Sequence, residues 1–199
     1  MQYFSTLPKV IYSDKNKVSK VFTNLLARAN VKPSLLTNPL IFYTYDVQDG
    51  ETPEIIADKY YGDSYRYWLV TMVNNILDPQ WDWPMSGRNF EDYIAVKYTD
   101  VNPYNTAHHY EKVITQYESA TQTTTVNRIE IDEDTYNNLI ESTNSYNFSS
   151  ETTTVSITKK LVTLYQYESD LNESKRIIKL VRKELIQKIK SQFEQVMSV

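Results

Sequence analysis

The chain has 199 residues, a formal net charge of −4 and no cysteine, which excludes a disulfide framework, a thiolate zinc site and a cysteine nucleophile. Its only glycines are Gly50, Gly62 and Gly87, too few and too dispersed for a glycine-rich phosphate-binding loop. Seven Lys or Arg and two Glu lie between Glu173 and Lys190, and the remainder of the chain holds 14 basic and 23 acidic residues. This acidic body argues against a general nucleic-acid-binding protein.

Residues 1–39 are predicted to form an N-terminal arm and one helix. Asp14 is placed to cap this helix, and Pro33 and Pro39 bracket its exit. Its apolar residues have the three-and-four spacing of an amphipathic face: Val18, Val21, Phe22, Leu25 and Leu26. No unbroken apolar stretch follows a basic start, so we expect no secretory signal, and no segment approaches the roughly 20 apolar residues of a membrane span.

Residues 40–98 are predicted to hold a βααβ unit followed by another helix. The run LIFYTYDV, residues 40–47, alternates around β-forming residues and indicates a strand. Thr52 then stands at a helix N-cap position, with Pro53 first in the helix and Glu54 in its first turn. Gly62 can end that helix in the left-handed conformation.

Asp63 is positioned to cap the second helix of this unit. The predicted inner face of the helix comprises Tyr65, Trp68, Leu69, Met72, Val73 and Ile76. The brief segment 81–84 is expected to be extended and to supply the closing strand. Ser86 then begins a further helix, with one face formed by Phe90, Tyr93, Ile94 and Tyr98.

Residues 99–167 are predicted to form a β-rich segment or arm. The Thr-rich runs TQTTTVNRIEI and ETTTVSITKKLVTLYQY favour strands, and the intervening DEDTYNNLIESTNSYNFSS predicts a short helix and a loop. The same Thr and Ser runs are also compatible with a flexible linker.

Residues 168–199 are predicted to form one long C-terminal helix, from Ser169 to Met197. Its apolar residues recur every three or four positions: Leu171, Ile178, Val181, Leu185, Ile189, Phe193 and Val196. About 29 residues at 1.5 Å each give a rod of roughly 43 Å, longer than a small βααβ unit. We therefore expect this helix to bind a partner more than it supports the fold, although packing on the chain's own β-rich middle is an alternative. Deleting residues 185–199 is accordingly expected to leave a folded protein.

One stretch resembles a LysM module. That pattern begins Tyr-x-Val-x-x-Gly-Asp-Thr and continues with Ile-Ala, Tyr-Gly and Asn; here Tyr45 to Ala57 read YDVQDGETPEIIA, followed by Tyr61-Gly62 and Asn74-Asn75. Glu51 replaces the usual Asp, and the closing strand is shortened and aromatic. The resemblance implies an α+β fold containing a LysM-like βααβ unit.

A second resemblance is to the LysM-like baseplate wedge protein of T-even-type phages. It covers about half of the chain, through Tyr61-Gly62-Asp63, Tyr67-Trp68-Leu69-Val70, Met72, Asn74, Asp78-Pro79, Trp83, Ser86, Lys97-Tyr98 and the run from Glu168 to Lys179. The β-rich middle does not visibly match. The resemblance implies a non-enzymatic clamp in the virion, made in the host cytoplasm, that joins neighbouring wedges of a sixfold baseplate around its hub. Its implied partners are other wedge and hub-proximal tail proteins.

Aromatic and basic residues are the candidates for partner binding, because interface energy concentrates in Trp, Tyr and Arg. Trp68 is expected in the core. For Trp81 and Trp83, a core position and an interface position are equally expected. The complete candidate set is Trp81, Trp83, Arg176, Arg182, Leu185, Ile189 and Phe193.

Other kinds of site are less favoured. A LysM-type module would bind peptidoglycan or another glycan between the loops 49–52 and 76–81, and this is the alternative function. His108 and His109 are adjacent, and neighbours on a strand point in opposite directions, so no metal site is predicted. The acidic run 132–134 is read as a charged turn, and no catalytic residue, cofactor or membrane contact is expected.

Overall fold

The computed structural model describes residues 6–13, 15, 18–29, 31, 38–148 and 151–197. It is a mixed α and β protein that divides into two compact units. Unit 1 comprises Met1–Arg88 and Asn172–Val199, and unit 2 comprises Asn89–Leu171. The expected α+β class is confirmed.

The N-terminal helix is a wrong prediction, because this region forms a β-hairpin. Strand β1 (Lys9–Ser13) pairs antiparallel with β2 (Ser19–Thr23). The sequences KVIYS and SKVFT are rich in β-branched and aromatic residues, which favour extended backbone over helix. The spacing that resembled a helical face therefore arises from a strand and the chain that follows it. The predicted cap, Asp14, and Pro33 lie outside the described residues.

The strand and first helix of the expected βααβ unit are present. Strand β3 (Phe42–Asp46) leads through a turn into helix α1 (Pro53–Tyr61). The Thr52 side chain accepts a bond from the Ile55 amide, with Pro53 at the start of the helix. The helix ends at Gly62, whose φ of 70° is the left-handed conformation that glycine adopts at low cost.

The second helix begins through a short 3-10 turn, Ser64–Arg66, which Asp63 caps by accepting a bond from the Tyr65 amide. Helix α2 (Tyr67–Val73) follows. Of the predicted inner face, Trp68, Leu69 and Val73 are buried, Met72 and Ile76 are partly buried, and Tyr65 is 61% exposed. The helical spacing thus identified the core face but extended it one turn too far toward the N-terminus.

The closing strand is not at residues 81–84. Residues 79–82 form a short helix, α3 (Pro79–Asp82), and β3 instead pairs antiparallel with β8 (Ile177–Val181). Tyr45 lies opposite Ile178 in this two-stranded sheet. The Asn74 side chain holds the other edge of β8, with Nδ2 donating to the Lys179 carbonyl at 2.9 Å and Oδ1 accepting from its amide at 2.8 Å.

The single long C-terminal helix is also a wrong prediction. The region contains α6 (Leu164–Ser174), then β8, a 3-10 turn (Lys183–Leu185) and finally α7 (Ile186–Met197). The run IIKLV contains three β-branched residues, and its pairing with β3 satisfies the backbone in place of helical bonds. Because tertiary pairing overrode the helical spacing, the apolar stripe is divided among four elements.

The core of unit 1 is formed mainly by β3, α1, α2, β8 and α7. Helix α7 closes it: Phe193 packs against Trp68 with ring centroids 4.7 Å apart, and Ile186 and Met197 are buried beside them. The innermost side chains, each under 2% exposed, are Val47, Ile56, Leu69, Val70, Leu180 and Val181. Unit 1 therefore has a continuous apolar core assembled from both ends of the chain.

Unit 2 is built around a four-stranded antiparallel sheet in the order β5-β4-β7-β6. The strands are β4 (Ala107–Glu118), β5 (Thr123–Ile131), β6 (Ser142–Phe148) and β7 (Glu151–Thr163), with helix α5 (Glu133–Asn138) between β5 and β6. The expected β-rich middle is therefore a sheet, and the run DEDTYNN is a short helix capped by Asp132.

Two helices complete unit 2. Helix α4 (Gly87–Lys97) buries Phe90 and Ile94, as its spacing predicted, and α6 packs near it through the contact of Phe90 with Tyr165. Among the described residues of unit 2, the buried ones are Phe90, Ile94, Val162 and Glu168. The central strands β4 and β7 are mostly half-buried, and β5 is almost wholly exposed.

Candidate partner-binding surface

The two candidate tryptophans separate into a core and a surface residue. Trp83 is 7% exposed, and its Nε1 donates to the Glu51 carbonyl at 2.7 Å. Trp81 is 50% exposed, and Leu77, four residues earlier in the chain, is 59% exposed. The sequence left core and interface equally open for both residues. Of the two tryptophans, Trp81 is therefore the one whose side chain is exposed at the surface.

Side chains that bond to its backbone hold the segment carrying Trp81 in place. Asp82 accepts bonds from the Leu77 and Asp78 amides, both at 2.9 Å, and these bonds hold the pKa of its carboxyl below the ordinary value. Lys175 Nζ donates to the Trp81 carbonyl at 2.6 Å. A half-exposed indole on a fixed backbone loses little conformational entropy on binding, which suits an interface anchor.

Arg176 is engaged within unit 1. Its Nε donates to Glu173 Oε2 at 2.7 Å, its Nη1 donates to the Val47 carbonyl at 3.1 Å, and its Nη2 lies 3.8 Å from Asp49. Its side chain is 18% exposed. These contacts tie the entry to β8 to the end of β3, so this guanidinium supports the fold.

The remaining candidates lie along the C-terminal elements. Arg182 is exposed and its Nη2 donates to the Pro39 carbonyl at 3.1 Å. Leu185 and Ile189 are partly buried and pack against unit 1's core, whereas Phe193 is 4% exposed inside it. The expectation that residues 169–197 contribute more to binding than to the fold is wrong at Phe193, because α7 buries this side chain in the core of unit 1.

The loop 49–52, which would bind a glycan in a LysM-type module, has polar groups that bond to other groups of unit 1. Glu51 is 8% exposed, and its carboxylate accepts bonds from the Tyr45 hydroxyl, the Gln48 amide and the Lys59 ammonium. Burial raises the pKa of Glu51, but the bonds from Lys59 and Gln48 outweigh it and lower the pKa overall. Asp49 accepts a bond from the Gly87 amide at 3.0 Å. Since these groups already bond within unit 1, the loop supports the fold of that unit.

A second buried carboxylate stabilises unit 2. Glu168 accepts bonds from Lys97 Nζ at 2.6 Å, the Tyr98 hydroxyl at 2.8 Å and the Tyr93 hydroxyl at 3.2 Å. Burial raises the pKa of Glu168, and the bonds from Lys97 and Tyr98 more than offset it, so the pKa is lowered. The cluster joins α4 to α6 and keeps the carboxylate charged.

The histidine pair differs from expectation in its geometry. A register irregularity between Ala107 and His109 turns both rings toward each other, so that their Nδ1 atoms are 2.8 Å apart. His108 stacks on Tyr167 with centroids 3.8 Å apart, and His109 Nε2 is 3.4 Å from Glu111 Oε1. Across the described residues, no group of three or more His, Asp or Glu side chains is arranged to hold a metal ion.

Sequence reasoning missed two exposed apolar surfaces. The first is the β1–β2 hairpin, where Ile11 is 75% and Val21 64% exposed. The second is the edge strand β5, where Val126 is 51% and Ile129 42% exposed. The β-forming residues of TTTVNRIEI signal such a strand, whereas coincidental helical spacing conceals the hairpin. None of the helices in the described part of the chain has the length and hydropathy of a membrane span.

Comparison with known proteins identifies the family. A search of curated proteins finds no match to the chain. A family model described as base plate wedge protein 53 matches residues 12–196, which covers both units. The chain therefore belongs to the base plate wedge protein 53 family of phages, and is a structural protein of the virion's tail baseplate that assembles with other baseplate proteins.

Proposed function

We propose that this protein is a clamp that joins neighbouring wedges around the central hub while the baseplate assembles. Its copies occupy a sixfold assembly, in multiples of six per virion, and it is made in the host cytoplasm. The proposal extends the family's structural role to a particular task, a bivalent connection between wedges.

The division into two units is the observation that carries this proposal. Each unit has its own cluster of internal contacts, and the covalent chain passes between them twice, at residues 88–89 and 171–172. A protein with two folded units can bind one neighbour with each, and the second contact then forms at high effective concentration. Two covalent connections between the units make it harder to pull the units apart than one connection would.

The surfaces differ in a way that supports two distinct contacts. Unit 1 offers Trp81 on the short helix α3, where Lys175 bonds the Trp81 carbonyl, and we propose this half-exposed residue as one anchor. Unit 2 offers a sheet with half-buried central strands and an exposed edge strand, β5. Open edge strands and uncovered apolar side chains favour association with another protein.

We further propose that unit 1 contains a LysM-like unit whose second strand comes from later in the chain. Strand β3, helices α1 and α2, and strand β8 occur in the βααβ order, with residues 74–176 lying between α2 and β8. Glycan binding is the weaker alternative, because the Glu51 loop has its polar groups already bonded internally.

The proposed activity is non-enzymatic. Buried carboxylates such as Glu51 and Glu168 are held charged by lysine and tyrosine side chains, which suits structural support better than proton transfer. Purified protein is expected to leave peptidoglycan uncleaved. Robust cleavage abolished by changing one carboxylate would contradict this.

The experiment is an assembly assay with wedges purified from a phage that lacks this protein. Adding the full chain should convert separate wedges into sixfold baseplates, seen by electron microscopy and sedimentation. Trp81→Ala should weaken wedge binding, whereas Trp81→Phe, which keeps an aromatic ring, should retain most of it. Efficient joining of wedges without this chain would overturn the clamp.

A further inference from the structure

The β1–β2 hairpin is fixed at its base and open along its strands. Leu7, just before β1, is 4% exposed in the core of unit 1, and Ala27 packs against the same core after β2. The Asn24 amide donates to the Pro8 carbonyl at 2.8 Å and closes the base. All ten strand residues are exposed. The hairpin is therefore an anchored arm whose strand side chains are not covered by the residues that the structure describes.

Both faces of this arm are apolar. Val10 lies opposite Phe22 on one face, where the Tyr12 ring meets Phe22 edge-on at 6.3 Å. Ile11 lies opposite Val21 on the other face. A hairpin that rests on a single surface needs one apolar face and leaves the other polar. Apolar pairs on both faces instead indicate strands that become covered on both sides.

The exposed fractions are large enough to require a partner. Ile11 is 75%, Val21 64%, Tyr12 64% and Phe22 49% exposed. A two-stranded hairpin alone in water is marginally stable, and side chains of this size at the surface favour association. The chain's own described residues do not cover them.

The charge of the arm specifies the partner's chemistry. Residues 6–28 contain five basic residues and one acid, whereas the remainder of the chain holds 16 basic and 24 acidic residues. Lys9 and Lys20 lie on the strands and Lys15 between them, all exposed. Carboxylates on a binding surface would pair with these ammonium groups and guide association.

We propose that the β1–β2 hairpin is a docking arm that inserts into an apolar cleft bordered by carboxylates on another baseplate protein. The inference rests on the proposed wedge-joining function and adds a third contact to those of Trp81 and the unit 2 sheet. Its aliphatic and aromatic pairs fill the cleft from both sides, and its lysines lie at the acidic border.

The test uses the full-length chain, fluorescently labelled, titrated against purified wedges that lack it. Ile11→Thr with Val21→Thr changes one face, and Val10→Thr with Phe22→Thr changes the other. Threonine keeps β-propensity while removing apolar contact. Each double variant should weaken binding at least about 30-fold, as expected for hot-spot anchors. Val101→Thr, at a position that is 46% exposed and lies outside both the hairpin and the unit 2 sheet, is the matched control and should change binding little.

Salt provides a second readout. Raising salt should weaken wild-type binding, and Lys9→Ser with Lys20→Ser should both weaken it and flatten its salt dependence. Thermal unfolding of every variant should match wild type, because the altered side chains are exposed. Binding that is insensitive to salt would contradict the acidic border.

The outcomes separate the arm from the clamp. If wild-type chain joins wedges and both double variants bind equally well, the docking arm is wrong while the clamp stands. Loss on one face alone would replace insertion by a one-sided contact and overturn the proposal. Hairpin-dependent self-association measured by light scattering, or hairpin-dependent binding to anionic vesicles, would each overturn it in favour of another occupant. Failure of wild-type chain to bind wedges would refute the proposed function itself.

Discussion

Unit 1 and unit 2 are stabilised in different ways. In unit 1, side chains from both ends of the chain form a continuous core, with Ile56, Leu180 and Val181 fully buried. In unit 2, the described residues bury only Phe90, Ile94, Val162 and Glu168, and its sheet stays half-open on both faces. Backbone pairing holds that sheet together, with long registers between β4 and its two neighbours.

Unit 1 has a complete apolar core of its own, whereas unit 2 does not. Burial of apolar surface is the main stabilising contribution to folding, so unit 1 satisfies that requirement internally. Unit 2 has hydrogen bonds but few buried apolar side chains, and an exposed sheet gains most from a partner. We therefore expect assembly to stabilise unit 2 more than unit 1.

The largest expected effect comes from removing the closing helix of unit 1. Phe193→Ala should destabilise unit 1 by about 3–5 kcal/mol, because the ring packs on Trp68 inside the core. Deleting residues 185–199 should unfold unit 1 altogether. Val196→Ala is the control, since Val196 is 62% exposed. Denaturant unfolding followed by tryptophan fluorescence measures both, and a truncated chain with native stability would contradict the core described for unit 1.

The same substitution in the two units tests the comparison directly. Leu180→Ala, at a fully buried position of unit 1, should cost about 2–5 kcal/mol. Leu161→Ala, at a position of unit 2 that is 39% exposed, should cost less than about 1 kcal/mol. Unfolding curves of both variants check this. Equal losses would show that unit 2 is as well packed as unit 1.

A smaller effect is expected at the edge of β8. Asn74→Ala should cost about 1–3 kcal/mol, because the amide and carbonyl of Lys179 would lose their partner. Asn138→Ala, which removes a bond from an exposed Asn to the Asp134 carbonyl, is the control and should cost under about 0.5 kcal/mol. Hydrogen exchange of the Lys179 amide should increase in the first variant; unchanged protection would exclude the edge contact.

Acid should act on unit 2 through Glu168. The folded-state pKa of this carboxyl lies below its ordinary value of 4.5, so its stabilising contribution is full above that value. The contribution is lost as pH falls through the folded-state pKa. Glu168→Gln should therefore lower stability at pH 7 and lose that difference under acidic conditions. A difference that stays constant with pH would refute the charged Glu168–Lys97 pair.

The smallest expected effect is at a helix cap in unit 1. Thr52→Ala should cost about 1 kcal/mol or less, because the hydroxyl accepts a 3.4 Å bond at an exposed position. Thr52→Ser, which keeps the hydroxyl, should restore most of the stability. Thermal unfolding measures both, and a serine variant as unstable as the alanine variant would exclude the capping bond as the cause.

Local chemistry predicted the elements whose signals lie close together in sequence. Thr52, Pro53 and Gly62 marked the ends of α1 correctly, and the β-forming residues of the Thr-rich runs indicated a sheet. What failed depended on partners distant in sequence. Whether residues 177–181 form a helix or a strand is decided by β3, and spacing alone cannot reveal that pairing.

Prediction of the partner-binding residues has the same limit, because burial depends on contacts that are distant in sequence. Aromatic content indicated Trp81 and Trp83, yet only the bond from Trp83 to the Glu51 carbonyl distinguishes the core residue from the surface residue. Residue type places Phe193 and Arg176 among the partner-binding candidates. Their contacts within the chain, with Trp68 and Val47, cannot be read from the sequence because those residues lie far away along it.

The pairing of β3 with β8 also sets the order in which the protein matures on the ribosome. Tyr45 pairs with Ile178, so about 130 residues must be synthesised between the two strands, which takes roughly 7–25 seconds at typical bacterial rates. Unit 2 is a continuous segment and can fold first, while β3 and Trp68 wait without their partners. Nascent chains stalled before residue 177 should therefore present the apolar residues of unit 1 to chaperones.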